Sequence, residues 1–393
     1  MSFQAKAAFQ AKTVVPEAIV PRAVVPEVTI ADAAPGLENI VAAQTVLSHV
    51  DGLAGRLIVR GYDLESLADW HFEKVLALLW RDLAPEHMEE EEIRAALGRA
   101  RVRAAKLLGP LLPATDHLSQ VEALRLLLSS LADEENEPHH VLAVAAVPVF
   151  TAAIARRRAG QPPVAPVASL GLAADFLQML NGAMAAPEKV NALDTYLLTV
   201  ADHGLNASTF TARVIASTKA GLFSSVIGGL CALKGPLHGG APGPILDMLD
   251  AIGKESNIHP WLADALSRGE RLMGFGHRIY RVRDPRADVL KGAVAELRHN
   301  GERIRFAEAV KKAALALLAE KKPLRPLQTN VEFYTALVLE AVGFPRESFT
   351  NVFAAGRMAG WTAHVLEQDR IGRLIRPQSR YLGPIPGAAV AAR

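Results

Sequence analysis

Two histidines stand beside glycine in stretches that interrupt the surrounding apolar pattern. His238 lies within Gly235-Pro236-Leu237-His238-Gly239-Gly240-Ala241-Pro242-Gly243, and His277 ends Gly274-Phe275-Gly276-His277. Glycine lets the backbone approach a ligand where side chains would block it. An imidazole uncovered in this way, with backbone amides nearby, suits binding a carbonyl or enolate oxygen. A third histidine, His203, follows Ala201-Asp202 at an expected helix end, with Asn206 as the cap of the next helix. His139 and His140 have no such surroundings. No Cys, Asp or Glu follows them at metal-ligand spacing, so the pair reads as structural or exposed, and no metal site is expected.

The arginines cluster. Arg278, Arg281, Arg283 and Arg286 follow His277, Arg357 opens Arg357-Met358-Ala359-Gly360-Trp361, and Arg373, Arg376 and Arg380 lie near the C-terminus. Guanidinium forks pair with carboxylates and phosphates, so the ligand they suit is a small polycarboxylate, a phosphorylated carrier, or both. Arg286 is the strongest of the first group because Asp284-Pro285 fixes the backbone before it; Arg281 and Arg283 fit a solvated face equally well. Among the carboxylates, Glu332 stands just ahead of an apolar helix and after the basic stretch Lys321-Lys322-Pro323-Leu324-Arg325. Such a group either complements the helix dipole or, desolvated beside an acyl ligand, acts as a general base.

The elements that must hold these residues are helical. Apolar residues recur at helical intervals over Leu64–Leu79, from Val121 to Leu131 after the cap Ser119, over Leu193–Val200, over 211–233 and over Phe306–Leu318. Leu57-Ile58-Val59 suggests one short strand, and no alternating series builds a sheet. The expected fold is all-α and multi-helical, without the recurring period of a solenoid. Residues 1–35 differ: Phe-Gln-Ala-Lys and Val-Val-Pro-Glu each occur twice, as in an extended arm.

Composition removes several classes. The chain has 393 residues, 43 Lys+Arg against 41 Asp+Glu, and a single cysteine, Cys231. The near-zero balance supplies no global field for nucleic acid. One thiol excludes an internal disulfide framework or a multi-thiolate metal site and fits a reducing compartment. The most apolar run, Val141–Ala155, contains Pro148 and is short for a membrane span, and the first residues lack a signal or transit pattern. The expectation is a cytoplasmic protein.

Several blocks in order resemble the citrate synthase family: Gly55-Arg56-Leu57-Ile58 with Arg60-Gly61-Tyr62-Asp63; His203 to Phe210; Leu233 to Ala241; Gly274 to His277 with Asp284-Pro285-Arg286; and Gly360 to Gln368 with Arg376-Pro377 and Tyr381. The resemblance runs from Gly36 to Gly383. It implies a two-domain helical homodimer that condenses acetyl-CoA with oxaloacetate and hydrolyses the bound thioester, with no cofactor beyond the CoA substrate. The large domain would hold 36–238 and 344–393, the small mobile domain 239–343, and residues 1–35 the arm.

By the same likeness His238 stabilises the enol of acetyl-CoA and His277 polarises the ketone of oxaloacetate. His203, Arg286, Arg357 and Arg376 hold its carboxylates, Arg376 reaching in from the partner subunit. Arg281, Lys321, Lys322 and Arg325 are candidates for the CoA phosphates. Glu332 occupies the base position, where the family usually has Asp. Two alternatives remain at this point: a 2-methylcitrate synthase using propionyl-CoA, since one methylene discriminates by only ~1–3 kcal/mol, and a non-catalytic helical scaffold.

Overall fold

Apolar residues at three- and four-residue spacing form fifteen α-helices among the described residues of the computed structural model, which are 36–37, 40–133, 138–239, 243–276, 280, 282–297, 301–321, 327–379 and 381. The arm expected over 1–35 lies outside them, as do His277, Arg281, Lys322 and Arg325. The chain divides into two compact units, residues 1–44 and 45–393. Among the described residues, the helices and strands belong to the second.

A small antiparallel sheet comes first, in the order β1 (Ser48–Asp51), β2 (Arg56–Val59), β3 (Tyr62–Asp63). Only β2 is legible in the sequence, because it carries the apolar run Leu57-Ile58-Val59, whereas β1, of equal length, has a single Val among Ser, His and Asp, and β3 has two residues. Val59 pairs with Tyr62 across a two-residue turn in which Arg60 and Gly61 both have positive φ, 49° and 90°, the geometry that matches the twist of a hairpin.

After the sheet the chain is helical: α1 (Phe72–Trp80), α2 (Glu90–Ala105), α3 (Leu108–Leu111), α4 (Gln120–Leu128), α5 (His139–Arg158), α6 (Leu172–Asn181), α7 (Pro187–Thr199) and α8 (Ala207–Ser217). Then come α9 (Leu222–Leu233), α10 (Gly243–Ile252), α11 (Ile258–Ser267), α12 (Pro285–Leu297), α13 (Glu302–Lys321), α14 (Val331–Val342) and α15 (Phe349–Ile371). Ser119 caps α4 through a capping box with Glu122, and Asn206 caps α8 by accepting from Thr209 N, as their residue types predict. The run expected to be one helix over 211–233 is two, because Lys219 (φ 63°) and Gly221 (φ 89°) turn the chain between α8 and α9. A side chain at Gly221 would also meet Asp133, its Cβ 2.7 Å from Oδ1.

Helix α5 runs past the apolar stretch at both ends, to 20 residues, long enough to span a bilayer by length and composition; 89% of its most apolar window is buried inside the protein, as in a core helix. His140 packs in that core with its ring edge-on to Trp80, and burial pushes its imidazole down to about 4. His139 stacks beside Phe223.

Helix α12 packs on α7 and α14, and α15 runs along α5, α7, α8 and α9. Two glycines permit the path of α15. At Gly356 a Cβ would come within 2.8 Å of Leu197 O, and at Gly360 within 2.5 Å of Ala201 O and 2.6 Å of Asp202 Oδ1. Gly360 N instead donates to Ala201 O at 2.9 Å, so α15 and the end of α7 touch backbone to backbone.

Candidate active site

The break before His277 and the one before Glu332 pair with each other. Gly276 N donates to Gln328 O (2.7 Å), Asn330 N to Gly274 O (3.0 Å), and Phe275 bridges Thr329. Gly274 and Gly276 take φ of 87° and 82°, which side chains rarely adopt. Asn330 then caps α14, its Oδ1 accepting from Glu332 N and its Nδ2 donating to Gly276 O. Glu332 is therefore inside the first turn of α14, where the apolar pattern placed it just ahead of the helix, because Asn330 is the cap.

Asp284 joins this corner to Arg286. Its Oδ1 accepts from Arg286 N (3.1 Å) and Nε (3.0 Å), and its Oδ2 accepts from Arg286 Nη2 (2.9 Å) and Val331 N (3.2 Å). One buried carboxylate thus orients a buried guanidinium and caps a second helix. Arg286 also lies over the Tyr280 ring, its Cζ 5.7 Å from the centroid, and Tyr280 OH is 3.0 Å from His203 Nε2. His203 and Arg286, from segments far apart in sequence, meet through Tyr280.

The turn carrying His203 is fixed from below. Ser48 Oγ donates to Asp202 Oδ2 (2.5 Å) and accepts from Gly204 N (2.9 Å), while His364 Nε2 lies 3.3 Å from Asp202. Behind His364, Arg213 binds Glu367 and Gln368, and Glu367 accepts from Val46 N. Burial would raise the Asp202 carboxyl, but His364, Ser48 and Arg357 together hold it below the usual range.

Arg357 is the electrostatic centre. It is 1% exposed, and its Nε donates to Val200 O at 2.7 Å. Burial, against the attraction of Asp202 and with the repulsion of Arg286, brings it down to about 10, so it stays charged at neutral pH. Its charge acts on both His238 and Glu332. Burial, assisted by Arg357, pushes the His238 imidazole down to about 4, which keeps it neutral at pH 7. Burial lifts the Glu332 carboxyl to about 7, with Arg286 opposing and Asp284 adding to the rise.

His238 comes after the end of α9, where His238 N donates to Gly235 O. Its Nε2 lies 2.8 Å from the buried Ser208 Oγ, which accepts from Trp361 Nε1 (3.1 Å). The Ser208 proton has two acceptors in reach, His238 Nε2 and Asn206 Oδ1 at 2.8 Å. Directed at Nε2, it leaves Nδ1 as the N–H of the neutral ring.

The structure thus gathers His203, His238, Arg286, Arg357 and Glu332. It does not bring Arg376 or Lys321 to them: both are exposed, Arg376 in the segment after α15 and Lys321 at the end of α13. Sequence reading missed the roles of Asp284, Ser208, Trp361 and Tyr280, although all four lie in or beside the motifs that carry the histidines and arginines. Their signal was adjacency to a named residue, which does not reveal what a side chain reaches across the fold.

Residues 36–378 match the family model described as citrate synthase, C-terminal domain. The chain is 37% identical to citrate synthase 2 of Bacillus subtilis, covering 90% of this chain and 96% of that one. It is 39% identical to the citrate synthase of Haloferax volcanii, covering 88% and 95%. It is also 35% identical to a 2-methylcitrate synthase of Mycobacterium tuberculosis, covering 90% and 91%. Among solved structures, the ternary complex of Thermoplasma acidophilum citrate synthase with carboxymethyl coenzyme A and oxaloacetate superposes with a TM-score of 0.79 at 27% identity, over 89% of this chain and 96% of that one. With the family model spanning most of its length and relatives above 30% identity over nearly all of theirs, the chain belongs to the citrate synthase family.

Proposed function

We propose that the protein condenses acetyl-CoA with oxaloacetate and hydrolyses the resulting thioester to citrate and CoA. The observation that carries this reading is that, in a chain of the citrate synthase family, one buried carboxylate, Asp284, both grips Arg286 and caps the helix that carries Glu332. Proton removal from a thioester methyl needs a base on one side and a hydrogen-bond donor at the developing enolate oxygen on the other. Glu332 takes the proton. His238, donating from Nδ1 with Ser208 holding Nε2, stabilises the enol without competing for it.

His203, Arg286 and Arg357 hold the carboxylates of oxaloacetate so that its carbonyl carbon faces the enol, and His277 polarises the ketone. Fixing both reactants replaces a bimolecular encounter by an oriented one. The enol attacks the ketone carbon to form citryl-CoA, and water then cleaves the thioester. Residues 239–343 act as a small domain that closes on the substrates, with Arg281, Lys321, Lys322 and Arg325 near the CoA phosphates. The working form is a cytoplasmic homodimer in which Arg376 completes the partner's site.

Release of free CoA thiol when the purified protein meets oxaloacetate and acetyl-CoA tests the reading. Faster release with propionyl-CoA would assign 2-methylcitrate synthesis instead, and no release with either substrate would leave a helical scaffold.

A further inference from the structure

We propose that His364 is a positioning residue for the oxaloacetate site, holding the turn that carries His203 through a single N–H directed at the Asp202 carboxylate. This rests on the reading that His203 binds oxaloacetate. His364 lies on α15 and is fully buried, with Arg213 of α8 at its Nδ1 and Asp202, between α7 and α8, at its Nε2. Arg213 Nη1 is 2.9 Å from His364 Nδ1. A guanidinium has donors and no acceptor, so Nδ1 is the bare, accepting nitrogen and the ring proton sits on Nε2. The other groups around Arg213 agree with this. Glu367, 4.0 Å from Nδ1, accepts from Arg213 Nη1 as well, and Gln368 Oε1 accepts from Nη2 at 3.1 Å.

The proton on Nε2 has one destination. Nε2 lies 3.3 Å from each oxygen of Asp202. Asp202 Oδ2 also accepts from Ser48 Oγ, whereas Oδ1 is buried and has no hydrogen bond of its own among the described residues. His364 is therefore the N–H that faces the less satisfied side of this carboxylate. Asp202 stands just before His203 and Gly204 just after it. Ser48 joins the two, donating to Asp202 Oδ2 and accepting from Gly204 N at 2.9 Å, and Gly204 takes a φ of 59°. The chain on both sides of His203 is thus held to one hydroxyl and one carboxylate, and His364 holds the carboxylate. Loss of that donor leaves a buried carboxylate under-satisfied, a cost relieved by moving the turn and His203 with it.

The test is the oxaloacetate affinity of two variants that each keep half of the imidazole's hydrogen bonding. His364→Gln places an amide N–H near the position of Nε2. His364→Asn places its amide near that of Nδ1, where it can accept from Arg213 and falls short of Asp202. Calorimetric titration should show oxaloacetate binding weakened about tenfold in His364→Asn and within about threefold of the parent in His364→Gln, with kcat at saturating oxaloacetate little changed in both. Equal affinities in the two variants, or a fall in kcat without a change in affinity, overturn the proposal. Histidine labelled with 15N reads the parent directly. His364, identified by the signal missing from either variant, should show a protonated Nε2 and a bare Nδ1 at neutral pH, and a proton on Nδ1 overturns the assignment. His203→Ala, run alongside, separates this from failure of the underlying reading. Parent-like affinity there removes His203 from the oxaloacetate site and the proposal with it, whereas weakened binding there with parent-like binding in His364→Asn overturns the role of His364 alone.

Discussion

Glu332 and Arg286 stand in the first turns of two different helices that share one carboxylate, Asp284. The carboxylate grips the guanidinium of Arg286 and caps the helix of Glu332 through Val331 N. The group proposed to remove the proton and one proposed to bind the keto acid are thereby set to each other before any ligand arrives.

Asp284→Asn should separate them. Removing one partner of a buried ion pair costs about 3–5 kcal/mol because the other charge is left uncompensated. The expected outcome is a fall in melting temperature and at least a tenfold weaker grip on oxaloacetate, read by scanning calorimetry and by titration of the ligand.

His238→Ala and Arg357→Ala should fail differently. In the proposed mechanism His238 serves the acyl partner, so its loss should abolish condensation while oxaloacetate still binds. Arg357→Ala should weaken oxaloacetate directly, by about 2–5 kcal/mol for a buried charge pair. Calorimetric titration of oxaloacetate into each variant reads the split, and equal losses would contradict these roles.

The parts of this site legible in the sequence are those held by short-range interactions. Asn206 caps its own helix, so residue type sufficed, as it did for Ser119 elsewhere in the fold. The all-α fold was readable from spacing in the same way. Asp284 was visible only as part of Asp284-Pro285-Arg286, because its bond to Val331 N crosses 47 positions. The division of 211–233 into two helices was hidden because Lys219, an ordinary helix former, takes a left-handed φ there. The raised carboxyl of Glu332 comes mainly from burial by elements remote in the chain, which local pattern does not encode.

Gly360→Ala should report how tightly α15 fixes the turn carrying His203. The new methyl would press on Ala201 O and Asp202 Oδ1, both backed by buried structure, and overpacking of this kind costs about 1–3 kcal/mol. Melting temperature should fall by several degrees, and oxaloacetate affinity should fall with it as His203 is displaced.

The carboxyl of Glu332 also predicts a pH dependence of stability. Its value is raised from 4.5 in the unfolded chain to about 7 in the folded protein. Between these the folded state holds the extra proton, so this contribution is fully present below about 4.5 and is lost as pH rises through about 7. Glu332→Gln removes the penalty. The variant should melt above the parent at pH 8 and match it more closely at pH 5, the reverse of what loss of a stabilising cap would give.

Exchange of the acetyl-CoA methyl protons with deuterated solvent isolates the first chemical step. Malate would fill the dicarboxylate clamp while offering no ketone to attack, so exchange followed by proton NMR in its presence reports proton removal alone. The parent protein should exchange with a rate that rises through pH 7, and Glu332→Gln should lose that exchange by at least a hundredfold. Exchange at the parent's rate in Glu332→Gln would show that Glu332 is not the base.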